Sequence, residues 1–267
     1  EERQLANFIL DGNVYVGLKF ATGTTDTEKN TTKDNIVSNI TEYLSVLSIG
    51  TIFVEPIDTF IEAIVEFSFD PNLTSVTLQS TEAAVSAKVN QFFSANLGVF
   101  GKIFRKSALL TEVDGVSEAI ISSSINVKVQ QRFEPTINQS EQYEINFPVA
   151  LAPADDVNTT ITSSTFTYNG TVALIKNQLS STKLQVTDTL GNVLIDNVGQ
   201  YTPSNGKIEL VGFSLESITS GNTFIKISAK PANENVIKPL RNFVISLDND
   251  ASFAAGLIDR QTISVAL

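Results

Sequence analysis

Hydrophobic residues recur at alternate positions through the opening of the chain, where Phe8, Leu10, Val14, Val16 and Leu18 are interleaved with Tyr15, Gly17 and Lys19. That period predicts extended chain from Phe8 to Phe20, with Asp11-Gly12-Asn13 as a hairpin turn. Asp26 to Lys33 is polar and reads as a connection. Beyond it the spacing changes: Ile36, Ile40, Tyr43, Leu44 and Leu47 fall at i, i+4, i+7, i+8 and i+11. They share one face of a predicted helix from about Thr32 to Ser48, which Gly50 stops.

From Thr51 to Phe69, Glu62, Glu66 and Ser68 alternate with Ile61, Val65, Phe67 and Phe69, predicting one long half-buried strand turned by Asp70-Pro71-Asn72. A second helix follows, with Ser80 as N-cap, Glu82 in its first turn and Val85, Val89, Phe92 and Phe93 on one stripe. Gly98 and Gly101 bracket its exit, Phe104 to Val113 predicts a short helix, and Asp114-Gly115 turns the chain into a strand from Ala119 to Phe133. Residues 51–133 thus read strand, helix, helix, strand. After Glu134-Pro135 the chain becomes rich in Thr, Ser, Asn and Val, with turn pairs Asn169-Gly170, Gly191-Asn192 and Asn205-Gly206. Strands are predicted at Tyr143–Phe147, Thr165–Tyr168, Lys183–Val186, Val193–Ile195, Lys207–Val211, Phe224–Ser228 and Phe243–Leu247. The expected fold is α+β: an N-terminal strand and helix segment (1–50), an α+β module (51–133), and a β-rich sandwich-like or mixed-sheet module (134–267).

Composition narrows the function. The net charge of −11 opposes a phosphate backbone, so nucleic acid is not an expected partner. No apolar run approaches the roughly 20 residues that cross a bilayer, and Glu1-Glu2-Arg3-Gln4 lacks the basic-then-apolar layout of a signal peptide, so no membrane partner is expected. Cys and His are both absent, which removes thiol nucleophiles, imidazole bases, disulfides and the usual zinc ligands. Met is absent too, even at position 1, which points to a fragment of a longer protein and to residues missing from the sequence; an intact mass of 28.9 kDa would refute the omission.

Carboxylate chemistry survives these exclusions. A glycosidase needs only two carboxylates about 5 to 10 Å apart, but no spacing here singles out such a pair. Asp248-Asn249-Asp250 and Asp155-Asp156 offer oxygen ligands without the Gly and distal Glu of a calcium loop, and both read as solvated turns. Gly98, Gly101 and Lys102 miss the spacing of a phosphate-binding loop. The six N-x-[ST] sequons, at Asn30, Asn39, Asn72, Asn138, Asn158 and Asn169, reflect the abundance of Asn and Thr. The compact basic cluster Lys102, Arg105 and Lys106, beside Phe100 and Phe104, is either a solvated helix face or a docking point for an acidic protein patch. Neither cofactor, metal nor small-molecule substrate is expected, and Phe100, Arg105 and Lys106 are the candidate protein-interface residues.

An ordered set of short motifs runs through the middle of the chain: Val54-Glu55-Pro56 before the long strand, Asn72-Leu73-Thr74, the amphipathic helix, Phe104-Arg105-Lys106-Ser107-Ala108-Leu109, Asp114-Gly115, and Ile120-Ile121-Ser122-Ser123-Ser124-Ile125-Asn126-Val127-Lys128-Val129-Gln130. In this order they resemble the J-like baseplate assembly family of contractile phage tails, over about Asp34 to Phe133 and nearest to the C-terminal portion of its wedge members. The resemblance implies a non-enzymatic virion component that pairs with a second copy of itself and with other baseplate wedge proteins in a ring around the tail hub, rearranging when the sheath contracts. Assembly would take place in the host cytoplasm. An expectation from a different class is a β-rich carbohydrate-binding or adhesion module, against which stand the absence of Trp and the presence of only five Tyr.

Overall fold

The computed structural model describes residues 4–10, 13–21, 23–44, 50–219, 221–240 and 242–260. The chain opens with β1 (Gln4–Leu10) and β2 (Asn13–Lys19), an antiparallel pair whose register ends at Leu10 opposite Asn13. The predicted turn residues Asp11 and Gly12 lie outside the described residues. Helix α1 (Asp26–Leu44) carries the chain to β3 (Gly50–Val54), which pairs parallel with β2. The predicted helix end at Ser45 to Ser48 lies outside the described residues, and Gly50 opens a strand rather than stopping the helix. Helix α1 begins six residues earlier than the hydrophobic spacing indicates because Thr25 and Glu28 form a capping box. The Thr25 N–H donates to the Glu28 carboxylate at 2.8 Å, and the Glu28 N–H donates to Thr25 Oγ1 at 3.3 Å. The polar run Asp26 to Lys33 is therefore helix, not connection.

The predicted long strand from Thr51 is two strands in two sheets. Pro56 has no N–H to contribute to a ladder, and the chain breaks at Glu55-Pro56 before β4 (Ile57–Phe69) joins a different sheet. A single 3₁₀ turn (Pro71–Leu73) leads to α2 (Leu78–Asn96), whose N-cap is Thr77 and not Ser80: Thr77 Oγ1 accepts the Ser80 N–H at 3.3 Å. Its buried stripe, Thr81, Val85, Val89, Phe92 and Phe93, follows the helical period. Next come β5 (Phe104–Arg105), α3 (Lys106–Asp114) and β6 (Ile120–Phe133).

The remainder is β: β7 (Glu141–Asn146), β8 (Ile161–Ser163), β9 (Phe166–Tyr168), β10 (Thr171–Asn177), β11 (Lys183–Asp188), β12 (Val193–Thr202), β13 (Lys207–Phe213), β14 (Ser217–Ile218), β15 (Ile225–Ala229), β16 (Val236–Ile237), β17 (Phe243–Leu247) and β18 (Phe253–Ile258). With β4 and β6, most of these strands form one 13-stranded sheet, ten of them in the row β17-β4-β6-β15-β8-β10-β11-β12-β13-β7, with β18 paired to β4, β9 to β10 and β14 to β9 beside it. The protein is thus a mixed α+β, β-rich structure. Strands β8, β10 and β18 were not marked by clean alternation in the sequence, and they sit where pairing on both sides or a terminal edge decides conformation.

Pairing crosses residue 133 in both directions. β15 lies antiparallel to β6, while β17 and β18 run parallel to the first and second halves of β4. One face of the β4–β6 pair presents Ile61, Ala63, Val65, Phe67, Val127 and Val129 to α2 and α3. There Phe93 stacks on Phe104 at 5.7 Å between ring centroids. Farther along the sheet, Phe133 of β6, Tyr143 of β7, Phe213 of β13 and Phe166 of β9 meet edge to face or tilted at 5.0 to 6.2 Å, which brings the β7 end of the strand row back against β6. The sheet rolls around this second half of a continuous core.

Two turns depend on glycine for different reasons. Asn169 and Gly170 both have positive φ, 47° and 71°, as a two-residue hairpin between Tyr168 and Thr171 requires, and a Cβ on Gly170 would point into open space. Gly206 also has positive φ (69°), but a Cβ there would stand 2.3 Å from the Val149 carbonyl oxygen. Gly170→Ala should therefore cost about 1 kcal/mol, the backbone penalty alone, and Gly206→Ala clearly more, about 2–4 kcal/mol, because backbone must move as well. Urea denaturation of the two variants side by side checks the order; equal losses would contradict the close approach.

Candidate functional site

On the face of the sheet opposite α2, the strand registers place Phe60 and Glu62 of β4, Gln130 and Arg132 of β6, and Lys226 and Ser228 of β15 side by side. A run of such polar residues across three central strands needs internal partners where water is excluded. The partner comes from the end of β17. There the chain bulges through Asp248 to Ser252 opposite only Glu62 and Ala63, before it rejoins β4 as β18. The Asp248 N–H donates to the Ile61 carbonyl at 2.9 Å, and Ser252 Oγ accepts the Ala63 N–H at 3.0 Å, so the bulge is stitched to the strand beneath it.

Asp248, 2% exposed, is the centre of this cluster. Lys226 Nζ donates to both its oxygens, at 3.1 and 2.7 Å; Gln130 Nε2 donates to Oδ2 at 2.5 Å; and an Arg132 guanidinium nitrogen stands 3.6 Å from Oδ2. Both ends of the Gln130 amide are engaged, since Nε2 also donates to Glu62 at 2.8 Å and its oxygen accepts from Arg132 Nε at 3.1 Å. Ser228 Oγ donates to the same Glu62 carboxylate. Arg132 lies over the Phe60 ring, 3.5 Å from its centroid, with Phe224 at 4.7 Å. Asp248-Asn249-Asp250 is therefore a solvated turn only in part: Asp248 is a buried counterion, while Asn249 and Asp250 are exposed in the turn, Asp250 3.4 Å from Lys226. Sequence reading missed it because the residues that enclose Asp248 lie more than a hundred positions away in Gln130 and twenty-two away in Lys226.

Burial opposes the negative charge of Asp248, but the hydrogen bonds from Lys226 and Gln130 and the nearby charges of Lys226 and Arg132 outweigh it, holding the carboxyl below the ordinary aspartate range. The cluster ties β17, β4, β6 and β15 together. Among the described residues no group of three or more Asp or Glu is placed to hold a metal ion.

Beyond the end of β15 the same polar face opens into a groove of about 1030 Å³, lined by Glu66, Lys128, Asp155, Asp156, Lys230 and Glu234 among others. Asp155 is engaged locally. Its carboxylate accepts the N–H groups of Val157 and Asn158 at 2.7 and 3.2 Å, in keeping with the turn expected there, and these bonds lower its pKa.

Of the candidate interface residues, Lys106 lines this groove, whereas Phe100 and Arg105 are not among its lining residues. Phe100 is half-buried in the turn after α2. Arg105 is exposed, its backbone paired with Val236 at the start of α3, while Lys106 is half-buried with Nζ 3.7 Å from the Glu234 carboxylate. Phe104 between them is buried in the core and not part of any surface. A second surface, which sequence reading passed over, is the terminal edge strand β18, where Phe253, Leu257 and Ile258 are 54%, 73% and 54% exposed.

Asp248→Asn should destabilise the fold at neutral pH by about 3 kcal/mol, since it strands Lys226 without its main counterion. The sign with pH follows from the depressed carboxyl: its contribution is complete above the unfolded-state value of about 3.9 and is lost as pH falls through the lower folded-state value. Wild-type stability, measured by urea titration at several pH values, should drop more steeply below about pH 4 than that of the variant. Parallel acid limbs would remove Asp248 as the cause.

No helix among the described residues is long and apolar enough to cross a membrane. In comparisons with known proteins, no family model and no curated protein matches this chain.

Proposed function

We propose that this protein is a structural component of a contractile-tail baseplate wedge, acting through contacts with a second copy and with other wedge proteins and rearranging when the sheath contracts. The observation that carries the reading is where the family-like motifs fall. Val54-Glu55-Pro56 is the crossing from one sheet to the other, and Asn72-Leu73-Thr74 leaves the 3₁₀ turn toward α2. Phe104 to Leu109 joins β5 to α3, Asp114-Gly115 closes α3, and Ile120 to Gln130 is the body of β6. Four motifs at successive junctions, followed by one along a central strand, are what a shared chain path would preserve. A protein built to transmit movement also gains from strands of distant sequence held in one sheet by an internal ion cluster, since the sheet then moves as a unit.

A carbohydrate-binding role would draw on the groove beside Asp155 and Lys230. Among the described residues, those lining that groove include no aromatic ring against which a sugar could stack, which weighs against it.

Multi-angle light scattering of the full chain over a range of concentrations should give a mass approaching twice 28.9 kDa at the upper end. Reconstitution with the wedge proteins of a contractile-tail phage should incorporate the chain, and Arg105→Glu should reduce incorporation if the exposed guanidinium contacts a partner. A chain that stays monomeric and out of such assemblies, but binds immobilised glycans, would replace the assembly reading with the carbohydrate-binding one.

A further inference from the structure

Among the described residues, strand β18, Phe-Ala-Ala-Gly-Leu-Ile, forms the sheet's terminal edge, and it contains neither a charge nor a proline. Soluble proteins ordinarily blunt such edges, because unpaired main-chain groups beside exposed apolar side chains recruit another strand. The outward-facing groups can be identified. The Asp259 N–H donates to the Phe69 carbonyl on β4, so residues 253, 255, 257 and 259 turn their main chain inward, and Ala254, Gly256 and Ile258 turn theirs outward. The Gly256 N–H confirms the direction. It leaves the sheet to donate to the Glu82 carboxylate of α2 at 2.8 Å.

We propose that β18 pairs antiparallel with β18 of a second copy, about a two-fold axis at Gly256. Side-chain sizes favour this occupant and register. Ala254 stands opposite Ile258 of the other copy, and Ala255 opposite its Leu257, so these two exposed branched residues each meet a small one, one on each face of the ribbon, while Phe253 stands opposite Asp259. Gly256 meets itself on the axis, where no side chain intervenes. The flanks are complementary in charge: Arg260 of one copy reaches Ser252 of the other, beside the exposed Asp250. Glu82 is a guard on this edge, because its carboxylate must release the Gly256 N–H before the partner's Gly256 carbonyl can accept it, and pairing brings two Glu82 carboxylates toward the same axis. The inference rests on the self-pairing part of the baseplate reading and names its surface.

The test is sedimentation velocity on the full chain, with Leu257→Lys, Ile258→Lys and Glu82→Ala, each checked for wild-type circular dichroism. Leu257 and Ile258 are exposed, so their replacement should leave the fold intact. The lysine variants should weaken dimerisation by about ten-fold or more, and Glu82→Ala should strengthen it. Hydrogen exchange should show the Ala254, Gly256 and Ile258 amides becoming protected as concentration rises, with no change at Ala255 and Leu257. A dimer that persists in the lysine variants with unprotected β18 amides overturns this interface and leaves self-pairing standing through another surface. A chain that is monomeric throughout overturns both. Protection of β18 only when a different protein is added overturns the second copy as the occupant.

Discussion

The buried charge of Asp248 is the constraint around which the rest of this structure is arranged. A carboxylate removed from water must be matched, and here the match takes Lys226 and Arg132 from two strands and the Gln130 amide between them. Those groups line up only when β15, β6 and β4 are in their observed registers and the chain after β17 bulges over Glu62. A slip of one residue in any strand would turn its members of the cluster to the face packed by α2 and α3, where the apolar core lies. The cluster therefore sets register on one face as the core does on the other.

Because β17 and β18 share β4, the last described strands are joined to a strand near residue 60, and the middle of the chain is enclosed between them. The same bulge that seats Asp248 delivers β18 to the end of the sheet, with its apolar residues outward. Gly256 permits β18 to lie close to the sheet and α2, since a Cβ there would meet Leu78 and the Phe67 ring. Internal stability and the exposed edge are thus two results of one chain path: the ion cluster pins the bulge that leads into the edge strand.

How much of this is legible in the sequence depends on the range of the interaction involved. The α2 stripe of Val85, Val89, Phe92 and Phe93 repeats with the helix period and is buried as that period requires. The start of α1 is legible in Thr25 and Glu28, a local capping signal that apolar spacing does not contain. Pro56 carried the information that one strand must become two, but alternation on either side concealed it. Arg105 and Lys106 were identified as a basic pair; the neighbouring Phe104 proved to be core, because two residues of strand pairing with Val236 and Ile237 turn it inward.

By itself the sequence determined the elements held by near neighbours: the α2 face, the hairpin turn at Asn169-Gly170, the succession of short strands after Glu134-Pro135, and an acidic composition without Cys or His. Only the tertiary structure decided which strands share a sheet, that β4 is bordered by strands nearly two hundred residues away, and that Asp248 is a buried counterion rather than a solvated turn. The physical reason is that turns, caps and amphipathic periods are satisfied within a few residues, whereas a buried charge and a strand edge are defined by whatever the folded chain brings alongside them.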